Sequence, residues 1–269
     1  MSRLQERFAE LKSAKRTALV CFITAGDPSV ATTLGAMHAM VEAGADVIEL
    51  GMPFSDPMAD GPAIQKASER ALAGGASLHG VLSAVESFRE TDNATPVVLM
   101  GYLNPIEAMG AEKFSNAAFN AGVDGVIAVD LPPDEGGTEL SAMRAAGLDP
   151  IFLIAPNSTA ERIKQLCSSA TGFVYLVSIK GVTGTRTADV AEAKQQLDEI
   201  RACTQLPVGV GFGIRDGAAA GAMAQIADAV IVGTVLVEQF ALHTDTPQAI
   251  PAAVAKVVRD LRRGIDSVQ

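Results

Sequence analysis

Short apolar runs recur along the chain, and each gives way to a stretch whose apolar residues return every three or four positions. Eight runs read as strands: Leu19–Thr24, Val47–Gly51, Pro96–Met100, Gly125–Val129, Ile151–Ile154, Phe173–Val177, Val208–Gly211 and Ala229–Val232. The longer periodicity predicts helices over Ser29–Glu42, Leu78–Glu90, Ala111–Asn120, Glu135–Ala146, Thr159–Ser168, Ala191–Arg201, Gly217–Ile226 and Ile250–Arg263. An opening amphipathic helix carries Leu4, Phe8 and Leu11 on one face, and a short helix starting at Gly233-Thr234 precedes the last one. Strands alternating with helices indicate a parallel sheet wrapped by helices. Eight such units in 269 residues predict an α/β fold, a single-domain (β/α)8 TIM barrel spanning residues 1–269. An open dinucleotide-binding sheet would want Gly-x-Gly-x-x-Gly after the first strand, and Ala25-Gly26-Asp27-Pro28 is not that.

Composition narrows the class. With 48% hydrophobic and 19% charged residues, the chain can bury a large core and is not disordered. No apolar run reaches the roughly 18–20 residues a membrane span needs. The start MSRLQERFAELKSAKR is amphipathic rather than a signal peptide, so a cytoplasmic protein is expected. Cys21, Cys167 and Cys203 are odd in number and unclustered, which gives neither a zinc spacing nor a disulfide framework. A net charge of −10 argues against nucleic acid, and it obliges any anionic ligand to be held by local dipoles against the overall field.

The unusual residues cluster where such barrels keep their chemistry, at the C-terminal ends of the strands. Alternation sends Glu49 to the face opposite Ile48 and Leu50, among packed apolar side chains, and Asp60 closes the loop that follows. Burial without partners raises a carboxyl pKa, and two acids at one strand mouth suit proton transfer. Glu49 also fits a strand-end acid satisfied by loop amides, and the pattern alone leaves both readings open. Three glycine-bearing turns come late: Gly181-Val182-Thr183-Gly184, Gly211-Phe212-Gly213 and Gly233-Thr234. Glycine lets main-chain amides approach an anion, and a helix starting at Gly233-Thr234 would aim its positive end at a phosphate. Lys180, Arg186 and Arg215 could add charge but fit solvated positions equally well, so they stay outside the first set. His38, His79 and His243 lack partners at a recognisable spacing, Asp27 and Asp130 suit capping or loop shaping, and Asp56 reads as a turn residue.

The stretch from Glu49 through Asp60-Gly61-Pro62 to Gln65 resembles the signature of the tryptophan synthase alpha chain family. So do Phe22-Ile23-Thr24-Ala25-Gly26-Asp27-Pro28, Ser178-Ile179-Lys180-Gly181-Val182-Thr183-Gly184 and Gly211-Phe212-Gly213-Ile214, in order along nearly the whole chain. Departures are small: Cys21 where proline or tyrosine is commoner, Met100 where leucine is frequent, Thr234 where serine is often found. The resemblance implies a lyase that splits indole-3-glycerol phosphate into indole and glyceraldehyde 3-phosphate by retro-aldol cleavage. It implies Glu49 as the group handling the C3 and hydroxyl protons, and ionised Asp60 as acceptor of the indole N–H. Phe22, Met100, Ile127, Val129, Leu153, Tyr175, Phe212 and Ile231 match its indole pocket, with Tyr175 also helping to place Glu49. Gly184, Gly213, Gly233 and Thr234 match phosphate-binding positions, and Thr183 matches a residue that bonds to Asp60 when the Pro53–Asp60 and Ile179–Asp189 loops exclude water.

The same resemblance implies a pyridoxal-phosphate-dependent beta chain in an alpha2beta2 heterotetramer, with no cofactor and no metal in this chain. Pro53, Pro57, Pro105 and Pro132 would form the docking rim, or serve only as turn formers. Rival readings are a free-standing lyase releasing indole, a different phosphate-binding barrel, and a non-catalytic activating subunit.

Overall fold

The computed structural model describes residues 2–177, 190–211 and 213–268. Nine parallel strands form its sheet: β1 Ala18–Thr24, β2 Val47–Gly51, β3 Val97–Gly101, β4 Gly125–Ala128, β5 Asp149–Pro150, β6 Phe152–Ile154, β7 Val174–Val177, β8 Val208–Gly211 and β9 Ala229–Val232. Around them lie α1 Arg3–Ser13, α2 Val30–Glu42, α3 Pro62–Ala73, α4 Leu78–Arg89, α5 Leu103–Met109 and α6 Ala111–Ala121. The series continues with α7 Gly137–Ala146, α8 Ala160–Ser169, α9 Val190–Arg201, α10 Gly217–Ala224, α11 Thr234–Leu242 and α12 Ile250–Asp266. Among the described residues, no helix is long and apolar enough to cross a membrane.

The strand order β5-β4-β3-β2-β1-β9-β8-β7-β6 is that of a barrel whose fifth position is split in two. The expected strand Ile151–Ile154 is therefore two short ones, separated at Ile151. Pro150 has no N–H to continue a ladder. Once the Ile151 amide has donated to the Val126 carbonyl at 3.0 Å, pairing passes from β4 to β7.

Alternation along the strands divides the apolar residues into two layers. Leu19, Cys21, Ile23, Ile48, Leu50, Val97 and Leu99 face the helices in the larger core. Val20, Val47, Val98, Ile127, Ile151, Phe173 and Ile231 fill the barrel interior, where Leu4, Phe8 and Leu11 of α1 plug the N-terminal end. A capping box starts that plug, with the Ser2 side chain accepting from the Gln5 amide and donating to Asp149 at 2.6 Å.

Aspartates at the strand starts brace this floor. Asp124 takes Arg3 at 3.0 Å, Arg89 at 2.8 Å and the Val97 amide at 2.8 Å. Asp46 takes Arg262 of α12 at 2.9 Å and the Leu19 amide at 2.9 Å. Burial pushes both carboxyl pKa values up, and the amide and guanidinium donors oppose that rise. The floor is therefore rigid, and the C-terminal mouth is left free for chemistry.

Candidate active site

Glu49 lies in β2 between Phe22 of β1 and Val98 of β3, with its side chain inward at the mouth while Ile48 and Leu50 pack outward. It is 1% exposed, and among the described residues its Oε2 has no hydrogen-bond partner. Burial first, and the Asp60 charge second, push its pKa up to about 8. At neutral pH the carboxyl is therefore mostly protonated, a buried acid with a proton to give.

Asp60 reaches the same mouth from the loop between β2 and α3. The Tyr102 hydroxyl donates to its Oδ2 at 3.1 Å and accepts the Ala59 amide at 3.0 Å. The Gln65 side-chain amide ties the loop down by donating to the Asp60 carbonyl at 2.9 Å and the Pro57 carbonyl at 3.3 Å. Burial raises the Asp60 pKa to about 6 and the Tyr102 hydrogen bond opposes the rise, so the group is mostly ionised at neutral pH. Two neighbouring acids thus hold different protonation states, the arrangement from which one donates and the other stabilises positive charge.

Tyr175 is near enough for both acids to push its hydroxyl pKa well upward, after desolvation. Among the described residues it makes no hydrogen bond to Glu49, and the hydroxyl end of its ring lies close to Gly211. A Cβ at that glycine would clash with the Tyr175 Oη.

A cavity of about 1120 Å³ opens above the acids. Its inner wall is apolar, with Phe22, Met100, Tyr175 and Ile231, and its far wall holds Gly211, Gly213, Gly233 and Thr234. Val129 lines a smaller hollow beside it, with Asp60, Tyr102, Thr24 and Ser68. Among the described residues the buried Thr24 hydroxyl has no partner. Ile127 and Leu153 pack in the interior layer and line neither space. Thr183, Gly184 and Phe212 lie outside the described residues, as does the Ile179–Asp189 loop.

The glycine wall is shaped for an anion. Gly213 has φ +62°, in the left-handed region that favours glycine, and Gly233 precedes α11, which among the described residues has no side-chain cap. Gly233 and Thr234, which open α11, line the cavity, so the positive end of the helix dipole lies at its wall.

Several polar residues of the mouth escape a reading by pattern. Tyr102 stands out as a strand-end residue, but its grip on Asp60 is a tertiary fact, as are the Gln65 tether and the Thr24 hydroxyl. Asp27 is a bracket rather than a helix cap, since its carboxylate holds Arg70 of α3 at 2.6 and 2.9 Å. Asp130 does shape a loop, accepting the Leu103 amide at 2.7 Å. Pro53, Pro57, Pro105 and Pro132 are half-buried, and Pro105 sits in the first turn of α5 rather than in a loop. Among the described residues, no group of three or more His, Cys, Asp or Glu side chains could hold a metal ion.

Comparison with known proteins agrees along the whole length. The model of a family described as tryptophan synthase alpha chain matches residues 8–266. A tryptophan synthase alpha chain from Dechloromonas aromatica is 56% identical over 269 residues, covering all of both chains. The crystal structure of tryptophan synthase subunit alpha from Legionella pneumophila superposes with a TM-score of 0.92 at 41% identity, covering 99% of each chain. A chain of the aminoacrylate-bound tryptophan synthase from M. tuberculosis gives 0.87 at 36% identity, covering 98% of this chain and all of its own.

Proposed function

The chain belongs to the tryptophan synthase alpha chain family, whose members are lyases that cleave indole-3-glycerol phosphate, and we propose that Glu49 and Asp60 carry that cleavage here. The observation behind the assignment is the pair of acids held in opposite protonation states beneath a cavity with one apolar wall and one glycine wall.

In this reading Phe22, Met100, Val129, Tyr175 and Ile231 surround the indole, with Ile127 and Leu153 supporting them from the layer beneath. Gly213, Gly233 and Thr234 receive the phosphate with main-chain and hydroxyl donors. Gly184, Phe212 and Thr183 complete the assignment by resemblance alone. Protonated Glu49 gives its proton to indole C3, which turns the ring into a cationic 3H-indole. Asp60 accepts the ring N–H and stabilises the positive charge. The Glu49 carboxylate then takes the proton of the glycerol hydroxyl as the carbon–carbon bond breaks. The bonding pair returns to the ring, the hydroxyl carbon becomes the aldehyde, and Glu49 recovers its proton. Closing the mouth strengthens each of these electrostatic interactions by expelling water.

The family name also supports a beta-chain partner. An alpha2beta2 heterotetramer, a cytoplasmic setting and pyridoxal phosphate confined to the partner complete the proposal. The rim around Pro53, Pro57 and the 78%-exposed Met58 supports docking at the active-site end. The test is indole formation from indole-3-glycerol phosphate, with and without a beta chain. Slow release alone and stimulation on mixing are expected. No cleavage in either arm would overturn the assignment, and full turnover without the beta chain would favour a free-standing lyase.

A further inference from the structure

Beside the glycine wall, two charged side chains from different elements face the same cavity. Arg215 lies just past β8, two residues beyond Gly213, and Glu238 lies on α11 one turn beyond Thr234. They form an ion pair, with 43% and 35% of their side chains exposed. Both line the cavity that Gly213, Gly233 and Thr234 wall, so they act on an anion bound there with opposite signs. The mouth already contributes ionised Asp60, and the whole chain carries a net charge of −10. An incoming dianion therefore meets an unfavourable field that neutral amides offset only locally. A guanidinium is the side chain best suited to correct this, because its planar fork matches phosphate oxygens. Held by Glu238, it contributes little net charge to the empty site. A half-exposed pair is weakly bound, so exchange for a stronger acceptor is easy.

We propose that Arg215 is a phosphate-affinity residue, paired with Glu238 in the empty site and transferring its charge to the substrate's phosphoryl oxygens in the loaded one. This rests on the phosphate reading of the Gly213, Gly233 and Thr234 wall given above. Glu238 then acts as a competing acceptor that weakens phosphate binding, which makes its removal favourable for affinity. A purely structural ion pair predicts the reverse, since losing either partner would loosen the wall and weaken binding.

The test is equilibrium binding of glycerol 3-phosphate and of inorganic phosphate to the full chain at fixed pH and low salt. Wild type, R215A, R215K, E238Q and T234A are compared, with the unfolding midpoint of each recorded. R215A should weaken both probes by about 5–30-fold, R215K by less, and E238Q should tighten both by about 2–5-fold. R215A within twofold of wild type, or E238Q weaker than wild type, overturns the exchange. If wild type binds neither probe, the phosphate reading itself fails. If wild type binds and T234A does not, while R215A matches wild type, the wall stands and only Arg215 is excluded.

Discussion

The Tyr102 hydroxyl donates to Asp60 Oδ2 while receiving the Ala59 amide, so the end of one strand clamps the acid carried by the loop of its neighbour. The bond favours the ionised form of Asp60 and offsets part of the rise caused by burial. In Y102F that support is gone, and the Asp60 pKa should climb above about 6. The acid limb of the pH profile of kcat/KM should move upward, with a loss of roughly 3–10-fold at pH 6 and a smaller loss at pH 8. An equal loss at every pH would mean that the tyrosine acts only through packing.

Replacing Glu49 by glutamine keeps shape and removes the proton. Turnover should fall by about 10²–10⁴, while binding of glycerol 3-phosphate is spared. Indole release by the purified variant reads this directly, and activity above a tenth of wild type would contradict the assignment. D60N should keep more activity, because an amide oxygen still accepts the indole N–H without supplying charge. Equal losses would reverse the two roles.

Glu49 also sets a pH dependence of folding. Its pKa is about 8 in the folded chain against an ordinary 4.5, so the folded state holds the extra proton between those values. Stability therefore falls as pH rises from about 4.5 to about 8 and levels off above, where both states are ionised. Removing the ionisable group in E49Q should abolish that decline. The variant should gain on wild type across the window, by on the order of 5 kcal/mol at its upper end. Urea unfolding at pH 5, 7 and 9 would show it, and a gap independent of pH would place the ionisation elsewhere.

At the far wall, Gly211 leaves room for the Tyr175 ring, and a methyl group there would clash with the hydroxyl. Because the ring is packed inside the barrel, it cannot simply swing away. G211A should cost about 1–3 kcal/mol in stability and displace the ring from the cavity wall. Thermal unfolding and the near-ultraviolet signal of the two tyrosines would report both. An unchanged spectrum would mean that the strand shifts rather than the ring.

The barrel and the inward turn of Glu49 were legible because strand alternation is unambiguous at Ile48, Glu49 and Leu50, and it needs no tertiary information. Helix α3 is far less legible, since its buried positions are Ala67, Ser68 and Ala71, which make no large apolar stripe. In α5, Asn104-Pro105 imitates a turn. Proline is nevertheless tolerated in a first helical turn, where its missing N–H had no partner to lose. The split of the fifth strand depends on which neighbour Ile151 bonds, and no local pattern carries that. The grip of Tyr102 on Asp60 and the pairing of Arg215 with Glu238 join distant segments, so they emerge only once the ring closes.

That closure has a consequence for the birth of the protein. Strand β1 is made early and finds β2 soon after, but its other edge pairs with β9, whose Ala229 faces Ala18. Arg262 reaches Asp46 only later still. Throughout most of translation the nascent sheet therefore carries a bare strand edge, open to a wrong partner. Ribosome-bound chains stalled before β9 should be the species on which chaperones act.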